Sequence, residues 1–336
     1  MPPDERWMHR ALELASLGRC GVAPNPMVGA VLALGDRILA EGWHARPGGP
    51  HAEVACMSAF GEGPIPRGAV LYVSLEPCAH HGRTPPCCDL IIDRGIERVV
   101  IAHRDPFDQV AGRGIDRLRS AGIAIALGTL EAKARWLNRR FLTHVTGGRP
   151  YVVLKWARSR DGYLDQHPRT QGAVQRISSP ATDTLVHQWR SEEQSILVGS
   201  RTVLNDDPSL SVRHVDGRQP IRIVLDRNGT VPPNPKVFRS RKDRALLFGR
   251  GQRPSGNAEC VPVPEGAEPI PFLLEELTRR KISSVLVEGG GELLTHFLRS
   301  GMWDEAREIV APLELGNGTK APKLDTAPVA EHQVGD

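Results

Sequence analysis

The stretch Leu75–Cys87, L-E-P-C-A-H-H-G-R-T-P-P-C, follows an apolar strand pattern and contains two Pro-Cys steps. A second short pattern, His51-Ala52-Glu53, lies upstream at the start of a predicted helix. One histidine and two cysteine thiolates are ligands that Zn²⁺ prefers, and a nearby glutamate can carry protons without binding the metal. The spacing therefore predicts a catalytic zinc site between strand–helix segments, with His51, Cys78 and Cys87 as ligands.

This ligand set also indicates a reaction. In zinc-dependent base deaminases, one His and two Cys hold the ion, a water takes the fourth position and a glutamate transfers protons. Zinc lowers the pKa of such a water toward ~7, and Glu53 would pass its proton to the ring nitrogen and the leaving amine. The resulting interpretation is hydrolytic removal of an amino group from a nitrogen heterocycle, with Glu53 as the catalytic residue.

Other interpretations of the cluster stay open at this point. A structural zinc site would need a fourth protein ligand, and Cys88 is the neighbouring candidate, although paired C-x-x-C motifs are missing from the sequence. His44, His80 and His81 are rival ligands, for which contact with the substrate or a role in the loop is favoured.

The bulk composition bounds the class of protein. A chain of 336 residues predicts two domains, and 40% hydrophobic with 24% charged residues is ordinary for a globular protein. Lys and Arg residues are scattered along the sequence, and the net charge is +4. This distribution argues against nucleic-acid binding and is compatible with small anionic ligands. The polar start and the absence of a long apolar stretch predict a cytoplasmic protein that does not bind membranes.

Strand and helix signals alternate along both halves, which predicts largely parallel sheets covered by helices. In the first half Asp4 would cap a helix whose apolar face is Trp7, Met8, Ala11, Leu12 and Ala15. The remaining elements predicted there are strands 28–34, 37–41, 69–75, 98–102 and 123–127 and helices 51–60, 89–94, 114–121 and 131–143. The turn composition of Gly147-Gly148-Arg149-Pro150 predicts a junction between domains 1–146 and 149–336.

The second half repeats the alternation. Its predicted elements are strands 151–156, 195–198, 221–225, 244–248 and 283–288 and helices 181–190, 272–280 and 291–301. Gly289-Gly290-Gly291 stands between a strand and a helix, where amide groups can bind the phosphates of a cofactor. A Rossmann G-x-G-x-x-G after a first strand is missing, so a Rossmann dehydrogenase is disfavoured.

The eight residues between Cys78 and Cys87 depart from the P-C-x-x-C of general base deaminases. The whole stretch resembles the deaminase half of the bifunctional riboflavin-biosynthesis deaminase–reductase family, as do Asn25-Pro26-Met27-Val28-Gly29 and Val110-Ala111-Gly112-Arg113-Gly114. The second half is similar to the reductase half of that family, in order, at segments 154–155, 159–162, 177–179, 202–208, 220–226 and 287–290.

The resemblance implies a fold class of α/β. It pairs an N-terminal cytidine-deaminase-like three-layer α/β/α domain with a C-terminal dihydrofolate-reductase-like α/β domain. It implies zinc-dependent deamination of 2,5-diamino-6-(5-phosphoribosylamino)pyrimidin-4-one, followed by NADPH-dependent reduction of its ribosyl group to ribityl. One Zn²⁺ per deaminase domain, NADPH, a small phosphorylated pyrimidine as substrate and a homodimer or homotetramer are implied with it.

The resemblance also implies site residues at the matching positions. The deaminase pocket would be lined by Asn25, His44, His80, Arg83 and Asp105. The reductase substrate would contact Lys155, Arg190, Leu210, Arg213 and Glu288, with Arg190 and Arg213 as bidentate donors to its phosphate. The cofactor would contact Ala157, Thr202, Asp206, Gly290 and Gly291. The sequence departs from the family pattern at Phe107, Val174, Arg176 and Gln194.

Two other functions compete with this interpretation. A deaminase of free or RNA-embedded bases would fit the zinc motif, but the long cysteine spacing and the lack of aromatic residues interleaved with a basic patch oppose it. A non-catalytic, zinc-stabilised binding module is the alternative from a different class. A non-ligating, catalytically required Glu53 would distinguish the enzyme from it.

Overall fold

The computed structural model describes residues 2–80, 85–107, 112–167, 177–240, 242–250 and 258–335. The chain divides into two compact units, Met1–Gly148 and Arg149–Asp336. The division falls within the turn segment Gly147-Gly148-Arg149-Pro150.

The first unit is built on a five-stranded sheet in the order β2-β1-β3-β4-β5. Its strands are β1 (Gly29–Leu34), β2 (Arg37–Trp43), β3 (Val70–Val73), β4 (Arg98–Ile101) and β5 (Ala124–Leu127). Only the β3–β4 and β4–β5 pairs are parallel, so the prediction of a largely parallel sheet was wrong for this unit. The tight turn at Gly35, with a φ of 56°, lets β1 and β2 form an antiparallel hairpin, and β1 also pairs antiparallel with β3 on its other side.

Helices pack against this sheet and bury the apolar side chains of its strands. They are α1 (Pro3–Ser16), α2 (Ala52–Phe60), α3 (Cys87–Asp93), α4 (Arg113–Ser120), α5 (Glu131–Leu137) and α6 (Arg139–Gly147). The predicted apolar face of α1 is confirmed, since all five of its residues are buried. The predicted cap was wrong: the Asp4 carboxylate accepts hydrogen bonds from Tyr72 and Arg98 instead, 68 and 94 residues away in sequence.

The helix predicted over residues 131–143 is two helices that meet at Asn138. The buried amide of Asn138 accepts a hydrogen bond from Met27 N (2.8 Å) and donates one to Met27 O (2.9 Å). A side chain that pairs like a peptide group competes with regular helix geometry. This contact anchors the segment that carries Asn25.

The second unit has a seven-stranded sheet in the order β11-β10-β9-β8-β12-β6-β13, and every pairing in it is parallel. Its strands are β6 (Tyr151–Ser159), β8 (Ser195–Gly199), β9 (Ile221–Asp226), β10 (Ala245–Gly249), β11 (Ala258–Val261), β12 (Ser284–Val287) and β13 (Glu305–Ala311). A small antiparallel pair joins β7 (Tyr163–Asp165) to β14 (Thr319–Lys320). The helices are α7 (Pro180–Glu192), α8 (Ser200–Asp206), α9 (Pro269–Arg279) and α10 (Gly291–Ser300).

The cores of the two units follow from these layers. In the second unit, apolar residues of the central strands pack against α9 and α10 through Leu273, Leu277, Leu294 and Phe297. Burial on both faces explains the near-continuous apolar runs of those strands.

None of the helices in the described parts of the chain has the length and apolar character needed to cross a membrane.

A buried carboxylate, Glu76, connects the loop after β3 to the start of α4. Its Oε2 accepts hydrogen bonds from Asp105 N (3.2 Å) and Gly112 N (3.0 Å). Its Oε1 accepts from Gly114 N (2.9 Å) and Ile115 N (3.2 Å). One side chain thus satisfies the amide groups of two other segments, which fixes where the chain around Cys78 lies relative to Asp105.

We expect Glu76→Ala to destabilise the start of α4, because it leaves four buried N–H groups without their acceptor. One such donor costs about 1–3 kcal/mol, so the local opening free energy should fall by at least about 3 kcal/mol. Hydrogen-exchange mass spectrometry of residues 112–120 measures this as lost amide protection. Glu62→Ala, at an exposed glutamate of the same unit, is the matched control. Unchanged protection in the Glu76 variant would contradict the anchoring role.

Candidate active sites

The predicted metal ligands come together at the starts of two helices. His51 is the residue before α2, Glu53 lies in the first turn of α2, and Cys87 is the first residue of α3. His51 Nδ1 is 3.6 Å from Cys78 Sγ and 3.3 Å from Cys87 Sγ. The three ligand atoms lie within 4.8 Å of one another.

This geometry fits a zinc ion. Zn–S and Zn–N bonds of about 2.3 and 2.0–2.1 Å in a tetrahedron place N and S about 3.6 Å apart, close to the separations found here. In the described part of the chain, His51, Cys78 and Cys87 form the one group of His, Cys, Asp and Glu side chains close enough to share a metal. Three protein ligands leave a fourth position for water, as in catalytic zinc sites.

The electrostatics of the cluster favour a bound cation. The Cys87 thiol, helped by the His51 imidazole, lowers the pKa of the Cys78 thiol against the opposing effect of burial. The Cys78 thiolate and burial in turn raise the pKa of Cys87. The two sulfur atoms compete for one proton, and a divalent ion would replace that proton and stabilise both thiolates.

Glu53 is placed beside the ligands and not among them. Its side chain is buried, and burial raises its pKa to about 7 against the opposing effect of hydrogen bonding. A carboxyl group that titrates near neutral pH can both accept and donate a proton under working conditions. This is the property that the predicted proton carrier needs.

The rival ligands have other contacts. Cys88 Sγ points to the carbonyl oxygens of Pro77 (3.4 Å) and Gly114 (3.5 Å). His44 is buried, with Nδ1 2.8 Å from Pro50 O and Nε2 3.0 Å from Asn25 Nδ2. The structure therefore favours the three-ligand site over the structural alternative with Cys88. His81 lies outside the described residues.

Part of the predicted pyrimidine pocket surrounds this cluster. The His44 ring meets the His51 ring edge-on at 5.6 Å, which brings the Asn25–His44 pair next to the ligands. Asp105 is buried, and burial raises its pKa to about 6, with the charges of His80 and Cys78 among the lesser influences.

Asp105 Oδ1 accepts a hydrogen bond from Phe107 N (2.9 Å), and the Phe107 side chain is 39% exposed. His80 is exposed. Arg83 falls outside the described residues, so its predicted role is still a prediction.

In the second unit a cavity of 1230 Å³ lies at the carboxyl ends of β8, β9 and β12. Ligands of open parallel sheets bind at this edge. The cavity is lined by all five residues predicted to contact the cofactor and by two of those predicted to contact the substrate, namely Ala157, Thr202, Asp206, Gly290, Gly291, Lys155 and Glu288. Gly290 N donates a hydrogen bond to Thr202 Oγ1 (3.1 Å), which links the glycine segment to α8.

The Arg190 guanidinium has a different partner from the predicted phosphate. Its Nε and Nη2 donate to the two carboxylate oxygens of Glu288 at 2.7 and 2.8 Å, the bidentate geometry expected for a phosphate. Burial acts to raise the pKa of Glu288, but Arg190, together with Lys155, outweighs this effect and lowers the pKa to about 2. Burial lowers the pKa of Lys155, which lies near both groups. Arg190 therefore already has a bidentate partner, and neither Arg190 nor Arg213 is among the described residues that line the cavity.

Arg213 is held in place by a residue that the sequence did not single out, His187. Arg213 N donates to His187 Nδ1 (2.9 Å), and the His187 ring packs edge-on against His214 at 4.4 Å. Burial and the neighbouring arginines lower the pKa of His187 to about 4, so the ring is a neutral acceptor. The Arg213 side chain donates to Ser209 Oγ and Ser211 Oγ.

Three remaining predictions concern single positions. The Leu210 side chain is buried in the core, so a substrate could contact this residue through its backbone, which has a φ of 51°. Gln194 Oε1 accepts hydrogen bonds from Ser283 and thus has a structural contact. Val174 and Arg176 lie outside the described residues.

Comparison with known proteins relates these sites to families. Residues 1–103 match the model of the cytidine and deoxycytidylate deaminase zinc-binding region. Residues 150–329 match the model of the RibD C-terminal domain. Each candidate site thus lies in a separately matched part of the chain.

Relatives align along both units together. The riboflavin biosynthesis protein RibD of Aquifex aeolicus is 38% identical over 98% of this chain and 92% of its own length, and that of Escherichia coli is 39% identical over 94% and 90%. The Acinetobacter baumannii RibD structure (form 1) superposes with a TM-score of 0.85, 35% identity and coverage of 98% and 92%.

A solved Thermotoga maritima protein matches with a TM-score of 0.87, 37% identity and coverage of 97% and 92%. It is described as a diaminohydroxyphosphoribosylaminopyrimidine deaminase / 5-amino-6-(5-phosphoribosylamino)uracil reductase. The expected fold class, a cytidine-deaminase-like domain followed by a reductase domain of α/β type, is confirmed. This chain therefore belongs to the RibD family of riboflavin-biosynthesis enzymes, in which a zinc-dependent deaminase is joined to an NADPH-dependent reductase.

Proposed function

We propose that the first unit removes the 2-amino group of 2,5-diamino-6-(5-phosphoribosylamino)pyrimidin-4-one. The second unit then reduces the ribosyl group of the product, 5-amino-6-(5-phosphoribosylamino)uracil, to ribityl with NADPH. The observation that carries this proposal is the convergence of His51, Cys78 and Cys87 beside buried Glu53. The same chain holds a dinucleotide-sized cavity in its second unit.

In the deamination, His51, Cys78 and Cys87 would hold the zinc ion. When bound, zinc supplies a Lewis acid that makes a coordinated water deprotonate near neutral pH. Glu53 takes the proton of that water and delivers it to the ring nitrogen and then to the departing amino group. A C–O bond forms, the C–N bond breaks, and ammonia leaves, so one water is consumed for each ammonia released.

The pocket around the cluster supports a small polar ring as substrate. The Asn25–His44 pair and Asp105 offer amide, imidazole and carboxyl groups next to the metal ligands. Polar groups at fixed positions select a heterocycle by hydrogen bonding to its edge. Because Glu76 binds Asp105 N, the position of Asp105 is coupled to the loop that carries Cys78.

In the reduction, the cavity residues Ala157, Thr202, Asp206, Gly290 and Gly291 would hold NADPH, which would supply a hydride to C1′ of the ribosyl group. The ring C1′–O bond would open as the C1′–H bond forms, and the released oxygen would take one proton from water to become a hydroxyl group. The Lys155–Glu288–Arg190 cluster would place the sugar in the cavity, and Arg213 would bind the substrate phosphate. The protein positions the two reactants, and the cofactor carries the electrons.

We further infer a small phosphorylated pyrimidine, and neither nucleic acid nor membrane, as the partner. The scattered Lys and Arg of a chain with net charge +4 support this inference. The cytoplasmic location and the homodimeric or homotetrameric state are still predictions.

Glu53→Gln removes the proton carrier but no zinc ligand. We expect ammonia release from the diaminopyrimidine to fall about 10²–10⁴-fold, with zinc content unchanged. NADPH consumption from that substrate should stop with it, whereas consumption from added 5-amino-6-(5-phosphoribosylamino)uracil should continue at the wild-type rate. Ammonia and NADPH absorbance are followed in the same tube.

The control for this assay is Glu62→Gln, at an exposed glutamate of the same unit, which should behave as wild type. Wild-type ammonia release by Glu53→Gln would contradict the proton-carrier role. Ammonia without loss of NADPH in the wild-type protein would contradict the reductase half of the proposal and leave the deaminase half standing.

The adjacent cysteines provide a matched test of the ligand set. Cys87→Ser should weaken zinc binding by more than the about 10- to 100-fold typical of losing a supporting partner, and deamination should be lost with the metal. Cys88→Ser should keep zinc, since Cys88 Sγ faces two backbone carbonyl groups. Zinc content after dialysis against a graded chelator measures both. Equal zinc loss in the two variants would contradict the three-ligand site.

For the second unit, Arg213→Ala should raise the KM of the pyrimidine substrate about tenfold or more, through loss of a charge-assisted phosphate contact. The KM of NADPH should change by less than about twofold, because a group specific to one ligand affects one affinity. Arg239→Ala, at an exposed arginine of the same unit, is the control. Similar increases in both KM values would remove Arg213 from the substrate-phosphate role.

A further inference from the structure

Helix α7 holds the segment that ends at Arg213 through two of its side chains. Arg190 Nη1 donates a hydrogen bond to Ser211 O (3.3 Å), and His187 Nδ1 accepts one from Arg213 N (2.9 Å). Arg190 also binds Glu288 through Nε and Nη2, and Glu288 lines the cavity of this unit. One guanidinium group therefore connects a cavity residue to the segment that carries Arg213.

The chain just before Arg213 is fixed without help from His187. Gln219 accepts a hydrogen bond from Val212 N (2.9 Å) and donates one to Val212 O (2.8 Å), as a paired peptide group would. The Leu210 side chain is buried in the core. Loss of the His187 side chain should thus release the Arg213 backbone, while the path of the preceding residues stays the same.

His187 can accept this hydrogen bond only as a neutral ring whose proton is on Nε2, because Nδ1 must offer a lone pair. The surroundings of the ring favour that form. Burial and the cations of Arg190 and Arg213 lower its pKa to about 4, with a lesser effect of His214 and against the charge of Glu288. His187 is therefore a constant acceptor at neutral pH.

The Arg213 side chain is oriented at its other end by two hydroxyl groups. Arg213 Nη1 donates to Ser209 Oγ (2.7 Å) and Ser211 Oγ (2.8 Å). A guanidinium group has five N–H donors, so these bonds leave it able to bind an anion. Arg213 is exposed, and its position depends on the hydroxyl groups at one end and on His187 at the other.

We propose that His187 is a positioning residue of the reductase, which fixes the Arg213 backbone so that the guanidinium group meets the phosphate of the substrate. His187 touches neither substrate nor cofactor in this role and acts through Arg213 alone. A donor that is already in place loses less conformational entropy when its ligand binds. The inference rests on the proposed function, in which Arg213 binds the phosphate of 5-amino-6-(5-phosphoribosylamino)uracil.

Steady-state reduction of that uracil by the full chain tests the proposal. We expect His187→Ala to raise the KM of the uracil about fivefold to tenfold, the size of effect expected for one lost hydrogen bond and a displaced charged donor. The kcat and the KM of NADPH should each change by less than about twofold, because neither depends on the phosphate contact.

Two further replacements test the hydrogen bond itself. In His187→Asn the amide oxygen can take the position of Nδ1 and accept from Arg213 N, so the KM of the uracil should return to within about threefold of the wild-type value. In His187→Gln the amide group reaches toward the position of Nε2, so the KM should stay as high as in His187→Ala. This pair also decides the question if the alanine variant does not fold.

A double-mutant cycle tests whether His187 acts through Arg213. In an Arg213→Ala background, His187→Ala should raise the KM of the uracil by less than about twofold further, since groups that act through one contact are not additive. A similar increase in both backgrounds would mean that His187 acts by another route, and the proposal would fail.

Val186→Ala is the matched control, because Val186 is a buried neighbour on α7. It removes packing from the same helix but leaves the acceptor in place, so the thermal unfolding midpoint should fall while the KM of the uracil changes by less than about twofold. This comparison separates a loss of stability from a loss of positioning.

The outcomes distinguish this inference from the proposed function. If His187→Ala reduces the uracil with the wild-type KM, or raises the KM of NADPH as much as that of the uracil, the positioning role is wrong and the reductase function stands. If the wild-type protein consumes no NADPH with the uracil, the reductase function fails, and this inference fails with it.

Discussion

The geometry of the first site depends on the hydrogen bonds that the buried carboxylate of Glu76 accepts. Its four hydrogen bonds from backbone N–H groups tie the loop that carries Cys78 to Asp105 and to the start of α4. A metal site tolerates little error in the positions of its ligands. All four donors to Glu76 are backbone N–H groups. Glu76 therefore acts on the site by fixing the backbone around Cys78, Asp105 and the start of α4.

Two other carboxyl groups, Glu53 and Glu288, show how the environment of a carboxyl group separates its chemical roles. Glu53 is buried beside the metal ligands, and desolvation raises its pKa toward neutrality. Glu288, whose side chain is 10% exposed, lies against Arg190 and near Lys155, and these cations hold its pKa at about 2. The first can move protons at neutral pH, whereas the second is a permanent anion that holds a cationic pocket together.

Elements with strong local patterns were predicted well, and elements defined by their neighbours were not. The apolar face of α1 and the strands β4, β8 and β9 follow from spacing alone. The strand β13 was missed because its sequence, E-A-R-E-I-V-A, carries charges. Arg307 within it pairs with Glu305 of the same strand and is only 11% exposed. The parallel pairing of β13 with β6 over seven residues is a non-local contact, and the local sequence pattern of β13 does not predict it.

The sequence by itself determined the chemistry of the first site, because residue types and their order specify a zinc ligand set and a proton carrier. It also determined where the glycine segment before α10 lies, because a strand followed by a helix can be predicted from the local sequence pattern. Only the tertiary structure decided that Arg190 pairs with Glu288 and that His187 holds Arg213. Each of these contacts joins residues on different elements, and distances across a sheet depend on strand order, which local sequence does not encode.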